Sequence, residues 1–162
     1  ARGDGELRLK DKGGSGPYTA ELPSSISPTF SLVLRPTIPA PAKNAVNLTV
    51  RATTQSVVVG SPRLKLTYKG SSKNPKVRVL AQLVDPRTKT VVGNQITPFA
   101  LKLNGKRQKA TIPMEEISFD LRKGQRLRLQ IVANSGPYDT FPEGGRVSFS
   151  KVKVSLPVVS GQ

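Results

Sequence analysis

Short runs in which apolar and polar residues alternate recur along the chain, each bounded by Gly, Pro, Asn or Ser. In "RLKLTYK" (63–69), Leu64, Leu66 and Tyr68 fall on one face of a period-two element, with Arg63, Lys65, Thr67 and Lys69 on the other. Residues 126–131 set Leu127, Leu129 and Ile131 against Arg126, Arg128 and Gln130. Residues 151–156 set Val152, Val154 and Leu156 against Lys151, Lys153 and Ser155. "VRVLAQLV" (77–84) differs, being apolar on both faces from Leu80 onward, as a central, covered strand should be. The pattern predicts strands at 6–10, 30–35, 45–53, 56–59, 63–69, 76–84, 97–103, 107–113, 117–121, 126–133 and 146–156. Helical periodicity is nearly missing. "MEEIS" (114–118) follows Pro113 and predicts no more than a single turn.

The segments between these runs carry turn chemistry. "KGSSKNP" (69–75) supplies Gly and Asn where a positive φ is needed, and "LNGK" (103–106) between two alternating runs predicts a β-hairpin. "DPRTKT" (85–90) suits a type I turn, and "RKGQ" (122–125) a β-turn into the next strand. Many short strands at regular spacing predict an all-β fold, a β-sandwich, jelly-roll or barrel, of which an antiparallel β-sandwich of jelly-roll type is the expectation. Residues 1–43 contain the Gly- and Pro-rich stretches "DKGGSGP" and "PTIPAPAK" and are expected to supply an N-terminal strand or two and a stiff link laid on the sandwich. Residues 44–158 form the sandwich itself, and 159–162 a tail.

Composition sharpens this picture. A chain of 162 residues suffices for one core, but with aromatics at 5% and no Trp, Val, Leu and Ile must fill it. No apolar run is long enough to span a bilayer as a helix. No leader opens the chain, so either a signal peptide has been removed or the sequence is part of a longer protein, and a secreted or cell-surface location is expected. Cys and His are both absent. Thiol chemistry is excluded, the usual zinc, copper and haem ligands are missing, and no Ser–His or Cys–His nucleophile system can be assembled. No cofactor, metal or catalytic residue is expected.

The charge is the unusual quantity: 26 Lys and Arg against 10 Asp and Glu, or +16. Each half of the chain holds half of the cations, so the folded surface itself is basic rather than a tail. The exposed strand faces carry Arg63, Lys65, Arg126, Arg128, Lys151 and Lys153. The simpler reading is solubility and protection of sheet edges. The functional reading is a surface for a polyanion such as an acidic cell-wall polymer, with those six residues as its contacts. Nucleic acid is disfavoured because its readers interleave aromatics with charge, and here only Tyr68 lies within a basic run. A neutral sugar would need loop aromatics, for which Tyr18, Tyr138 and Phe141 are the candidates.

Other short motifs weigh little. "RGD" at 2–4 and the sequon at Asn47 are three-residue patterns, and the sequon lies inside a predicted strand. Glu115, Glu116 and Asp120 offer carboxylates without the spacing of a catalytic pair. Asp85, Asn94, Asp139 and Glu143 lack calcium-ligand spacing.

From about 44 to 158 the order of features resembles a known module. "VVVGSPRLKLTYKG", "VRVLAQLVD", "VVGNQITPF", "ISFDLRKGQRLRLQIVANSGPY" and "VSFSKVKVSLPVV" are similar to the C-terminal β-sandwich of the X-Pro dipeptidyl-peptidase and cocaine-esterase group of serine hydrolases. "GDGELRLKDKGGSGP" resembles the strand and turn leading into that module. The resemblance implies a galactose-binding-like jelly-roll that packs on an α/β-hydrolase catalytic domain. The serine elbow and histidine of those enzymes have no counterpart here, so their activity is not implied. The expectation is a non-catalytic accessory or recognition domain whose partner is an α/β-hydrolase unit or another protein. The alternative is a free-standing secreted sandwich that binds an acidic polymer.

Overall fold

The computed structural model describes residues 1–10, 12–15, 40–135 and 144–159. The strand expected at 30–35 and the loop aromatics Tyr18, Tyr138 and Phe141 lie outside them. Ten strands follow in chain order: β1 (Arg2–Arg8), β2 (Ala45–Arg51), β3 (Ser56–Gly60), β4 (Arg63–Asp85), β5 (Thr90–Asn104), β6 (Gln108–Pro113), β7 (Ile117–Leu121), β8 (Arg126–Val132), β9 (Arg146–Ser155) and β10 (Val158–Val159). All strand pairs are antiparallel, and the fold is an all-β sandwich. Among the described residues no helix is long and apolar enough to cross a membrane. Residues 114–116, within the suggested turn, are extended connection.

The two strands expected at 63–69 and 76–84 are one. β4 runs for 23 residues through "KGSSKNP", where a turn was expected. Its first half pairs β9 on one edge and β6 on the other, and its second half pairs β8 and β5. β1 extends the first half beyond β9, and β2 the second half beyond β8. Seven strands thus form one hydrogen-bonded sheet folded in two, β1-β9-β4-β6 against β2-β8-β4-β5. With β4 counted once in each half, this is the connectivity of a jelly-roll.

The expected hairpin at "LNGK" is absent for the same reason. β5 and β6 do not pair; they lie end to end along β4, and Asn104 stands opposite Ser71. Both turn-like segments mark a single corner where the sheet folds. Gly105, at φ 75°, donates its N–H to the Gly70 carbonyl at 3.0 Å. Asn74 and Asn104 each accept the N–H two residues on, at 2.9 and 3.1 Å. Asx geometry therefore served a bend rather than a reversal. The reversal at "DPRTKT" does occur: Asp85 accepts the Arg87 and Lys89 N–H groups, and Lys89 takes φ 57°. β5 starts at Thr90, before its expected position, because a bulge over Gly93 and Asn94, both left-handed, absorbs what reads as a loop.

The core lies between the two halves. Leu64, Leu66 and Tyr68 of β4 meet Leu127, Leu129 and Ile131 of β8 and Val147, Phe149, Val152 and Val154 of β9 in one buried cluster. The inward sets that the alternation predicted are all among them except Leu156, which packs against the cluster partly buried, and β9 adds Val147 and Phe149. Tyr68 packs on Phe149 with ring centroids 6.2 Å apart, and its hydroxyl accepts the Lys102 N–H at 3.2 Å. A three-stranded sheet, β10-β3-β7, adds Val58 and Leu121 to the cluster and leaves Val57, Val59, Val158 and Val159 exposed.

Candidate functional site

The sandwich has two outer faces, and they differ. On β2-β8-β4, Asn47, Gln130 and Gln82 stand in one cross-strand row. Gln130 was expected outward and exposed; it is outward but 2% exposed, and Gln82 is 0% exposed. Residues 40–42 lie over them. Gln82 Nε2 donates to the Ala40 carbonyl at 3.0 Å and to Gln130 Oε1 at 2.9 Å. Gln130 Oε1 also accepts the Ala42 N–H at 2.8 Å, and Gln130 Nε2 donates to the Ala42 carbonyl and to Asn47 Oδ1. The amides thus complete the hydrogen bonds of a crossing backbone with no strand to pair with. Leu80, Ile96 and Val132 gather under Ala42 and Ala45 beside them. The Asn47 side chain, the sequon asparagine, is engaged in this row.

The other outer face, on β1-β9-β4-β6, is uncovered by any of the described residues. It holds a concavity of about 660 Å³. Among the described residues, Arg2, Lys65, Lys109, Lys151 and Lys153 line it, with Asp4 as the single carboxylate. Strand register explains how they meet. Arg2 stands opposite Lys153, Lys153 opposite Lys65, and Lys65 opposite Thr111, a row crossing four strands. The next row sets Lys151 opposite Thr67 and Thr67 opposite Lys109. Directly opposed side chains sit about 5 Å apart at Cβ, where like charges oppose folding. A face that served solubility alone would intersperse signs. Among the described residues the ion pair is Arg146 with Glu6, at 3.9 Å, and it involves none of these cations.

Backbone irregularities shape the concavity. The β9 ladder slips between Thr67 and Tyr68, so Ser150 and Lys151 both point outward while Phe149 and Val152 stay in the core. The β1 ladder slips at the same level, between Gly3 and Gly5. Both slips reflect one extra residue on β9, a bulge that bends and twists the strand locally. Glycines let β1 approach the core closely: a Cβ at Gly5 would stand 2.8 Å from Val46, and one at Gly3 2.7 Å from the terminal methyl of Leu48. The "RGD" tripeptide is therefore ladder, not an exposed loop.

Of the six basic residues that the alternation singled out, Lys65, Lys151 and Lys153 line the concavity, and Arg63 lies one row beyond, opposite Ser155 and Pro113. Arg126 and Arg128 belong to β8, on the other half, where Arg126 faces Arg51. Arg2 and Lys109 were missed. Lys109 alternates with Ala110 and Ile112 in "KATI", a signal present in the sequence, but its place beside Thr67 depends on β6 pairing with β4. Elsewhere, Glu115 and Glu116 lie exposed in the link before β7, and Asp120 is exposed on it. The Asp85 carboxylate is occupied by the Arg87 N–H and the Gln125 amide.

No protein-family model matches the sequence, and no curated protein matches it. Solved structures match in shape. An α-amino acid ester hydrolase superposes with a TM-score of 0.63 at 10% identity, over 97% of this chain and 33% of that one. An aminopeptidase from a marine-sediment Thaumarchaeota archaeon gives 0.61 at 12% identity, over 99% of this chain and 34% of that one. A CocE/NonD family hydrolase from Staphylococcus aureus gives 0.56 at 12%, over 99% and 33%. At these identities the likeness is one of fold. The chain spans about a third of the length of these hydrolases, and it has the fold of a β-sandwich segment found in them.

Proposed function

We propose that this chain is the non-catalytic β-sandwich of an α/β-hydrolase-type protein, acting by recognition and packing rather than by chemistry. The observation that carries the reading is the extent of the likeness. Nearly the whole chain superposes on hydrolases, yet it accounts for only a third of each. The residue inventory agrees: with no His or Cys, the chain lacks the common bases and nucleophile pairs. The valines at 57, 59, 158 and 159 offer an apolar surface of the kind that a second domain covers.

The test is the native polypeptide. Immunoblotting and intact mass in the source cells should find this sequence in a product some hundreds of residues longer that hydrolyses an ester or peptide substrate. The isolated chain should hydrolyse neither. A native product near 17.4 kDa, or turnover by the isolated chain that survives repurification, would overturn the reading.

A further inference from the structure

We infer that the open outer face is a binding site for a flexible, hydroxyl-rich polymer carrying anionic groups, such as an acidic polysaccharide or a poly(polyol phosphate). The inference goes beyond the accessory reading and holds whether or not a hydrolase is attached.

Three features select the ligand. The cations extend from Arg2 on β1 to Lys109 on β6, across three strand spacings or about 14 Å. One phosphate cannot reach both ends, so the complement is a chain with repeated charges. Four of the five cations are lysines, point charges on flexible stems, without the planar fork that fixes one oxyanion geometry. Between them, Thr67, Thr111 and Ser150 place hydroxyls on the lining, which suits a polyol backbone. Nucleic acid fits less well, because among the described residues no aromatic lines the concavity and Tyr68 is turned inward onto Phe149.

The two outer faces supply an internal control. Arg126 and Arg128 are equally exposed but lie on the other half of the sandwich. A site tied to the concavity must distinguish the pairs; diffuse attraction to a +16 protein must not.

The experiment titrates the full 162-residue chain into fluorescently labelled polygalacturonate, dextran sulfate, poly(glycerol phosphate), neutral dextran and oligothymidylate, each over a salt series. Binding is expected to at least one anionic polyol and not to neutral dextran; the three anionic arms identify the preferred group. Log affinity should fall with log salt at a slope near −3, for about four charges at roughly 0.7 each. K109E/K151E should weaken binding at least tenfold and flatten the slope by about 1.4, for two contacts at roughly 0.7 each. R126E/R128E should change affinity less than about threefold, below the half-logarithm that matters for a specific contact. K109Q/K151Q, with unchanged melting, guards against loss of fold and should show the same loss in milder form. Equal losses from the two faces, no binding to any anionic polyol, or tightest binding to oligothymidylate would each overturn the inference.

Discussion

Gly70 and Gly105 face each other at the corner of the sheet, and they are glycines for different reasons. A Cβ on Gly70 would stand 2.5 Å from the Arg146 carbonyl oxygen and 3.1 Å from the Val147 Cα, so β9 itself would have to move. Nothing lies within 4 Å of a Cβ on Gly105, where the demand is only φ 75°. Gly105→Ala should therefore cost about 1 kcal/mol, the usual penalty for a left-handed alanine. Gly70→Ala should cost on the order of 3 kcal/mol, in the range of core overpacking. Urea denaturation of the two variants measures both, and a Gly70 variant no worse than the Gly105 variant would refute this account. In the sequence both glycines read as turn formers. Close approach and positive φ leave the same letter, and only the neighbouring strand distinguishes them.

For single strands, alternation was a reliable guide: the inward residues of β4, β8 and β9 are the core. It failed where a face is decided by something outside the strand. Gln130 alternates with leucines like any solvent-facing residue, yet residues 40–42 cover it. Sheet membership is likewise a property of pairing, so Lys65 and Lys153 look no more related in the sequence than Lys65 and Arg128. The amide row yields a prediction at this scale. Gln130→Met strips partners from both backbone groups of Ala42 and from two side-chain amides, and should destabilise by on the order of 3 kcal/mol. Gln82→Met removes two donated bonds but also a buried Oε1 that has no partner among the described residues, and should cost less than about 1 kcal/mol. Thermal melting decides the order. Amide exchange at Ala42 should accelerate in the Gln130 variant alone.

For the molecule as a whole, the jelly-roll arrangement was legible from strand number and from the resemblance in strand order. What was not legible is that one strand builds both halves. "KGSSKNP" carries every local sign of a reversal, and the chain bends there without reversing because β9 and β6 hold the first half of β4 while β8 and β5 hold the second. That continuity bears on the order of assembly. The β4–β5 hairpin joins residues close in sequence, and once formed it presents a template for each half. Closing β1 on β9 joins Arg2 to Lys153, almost the full length of the chain, and comes at the greatest entropic cost. Val79→Ala, in the hairpin, should slow refolding. Leu7→Ala, in β1, should leave the refolding rate nearly unchanged and speed unfolding. Stopped-flow rates for the two variants decide this, and the reverse assignment would rule it out. By this route a nascent chain commits to its architecture at β4, while β1, though made before the other strands of the sandwich, waits for the last long strand to emerge before it has a partner.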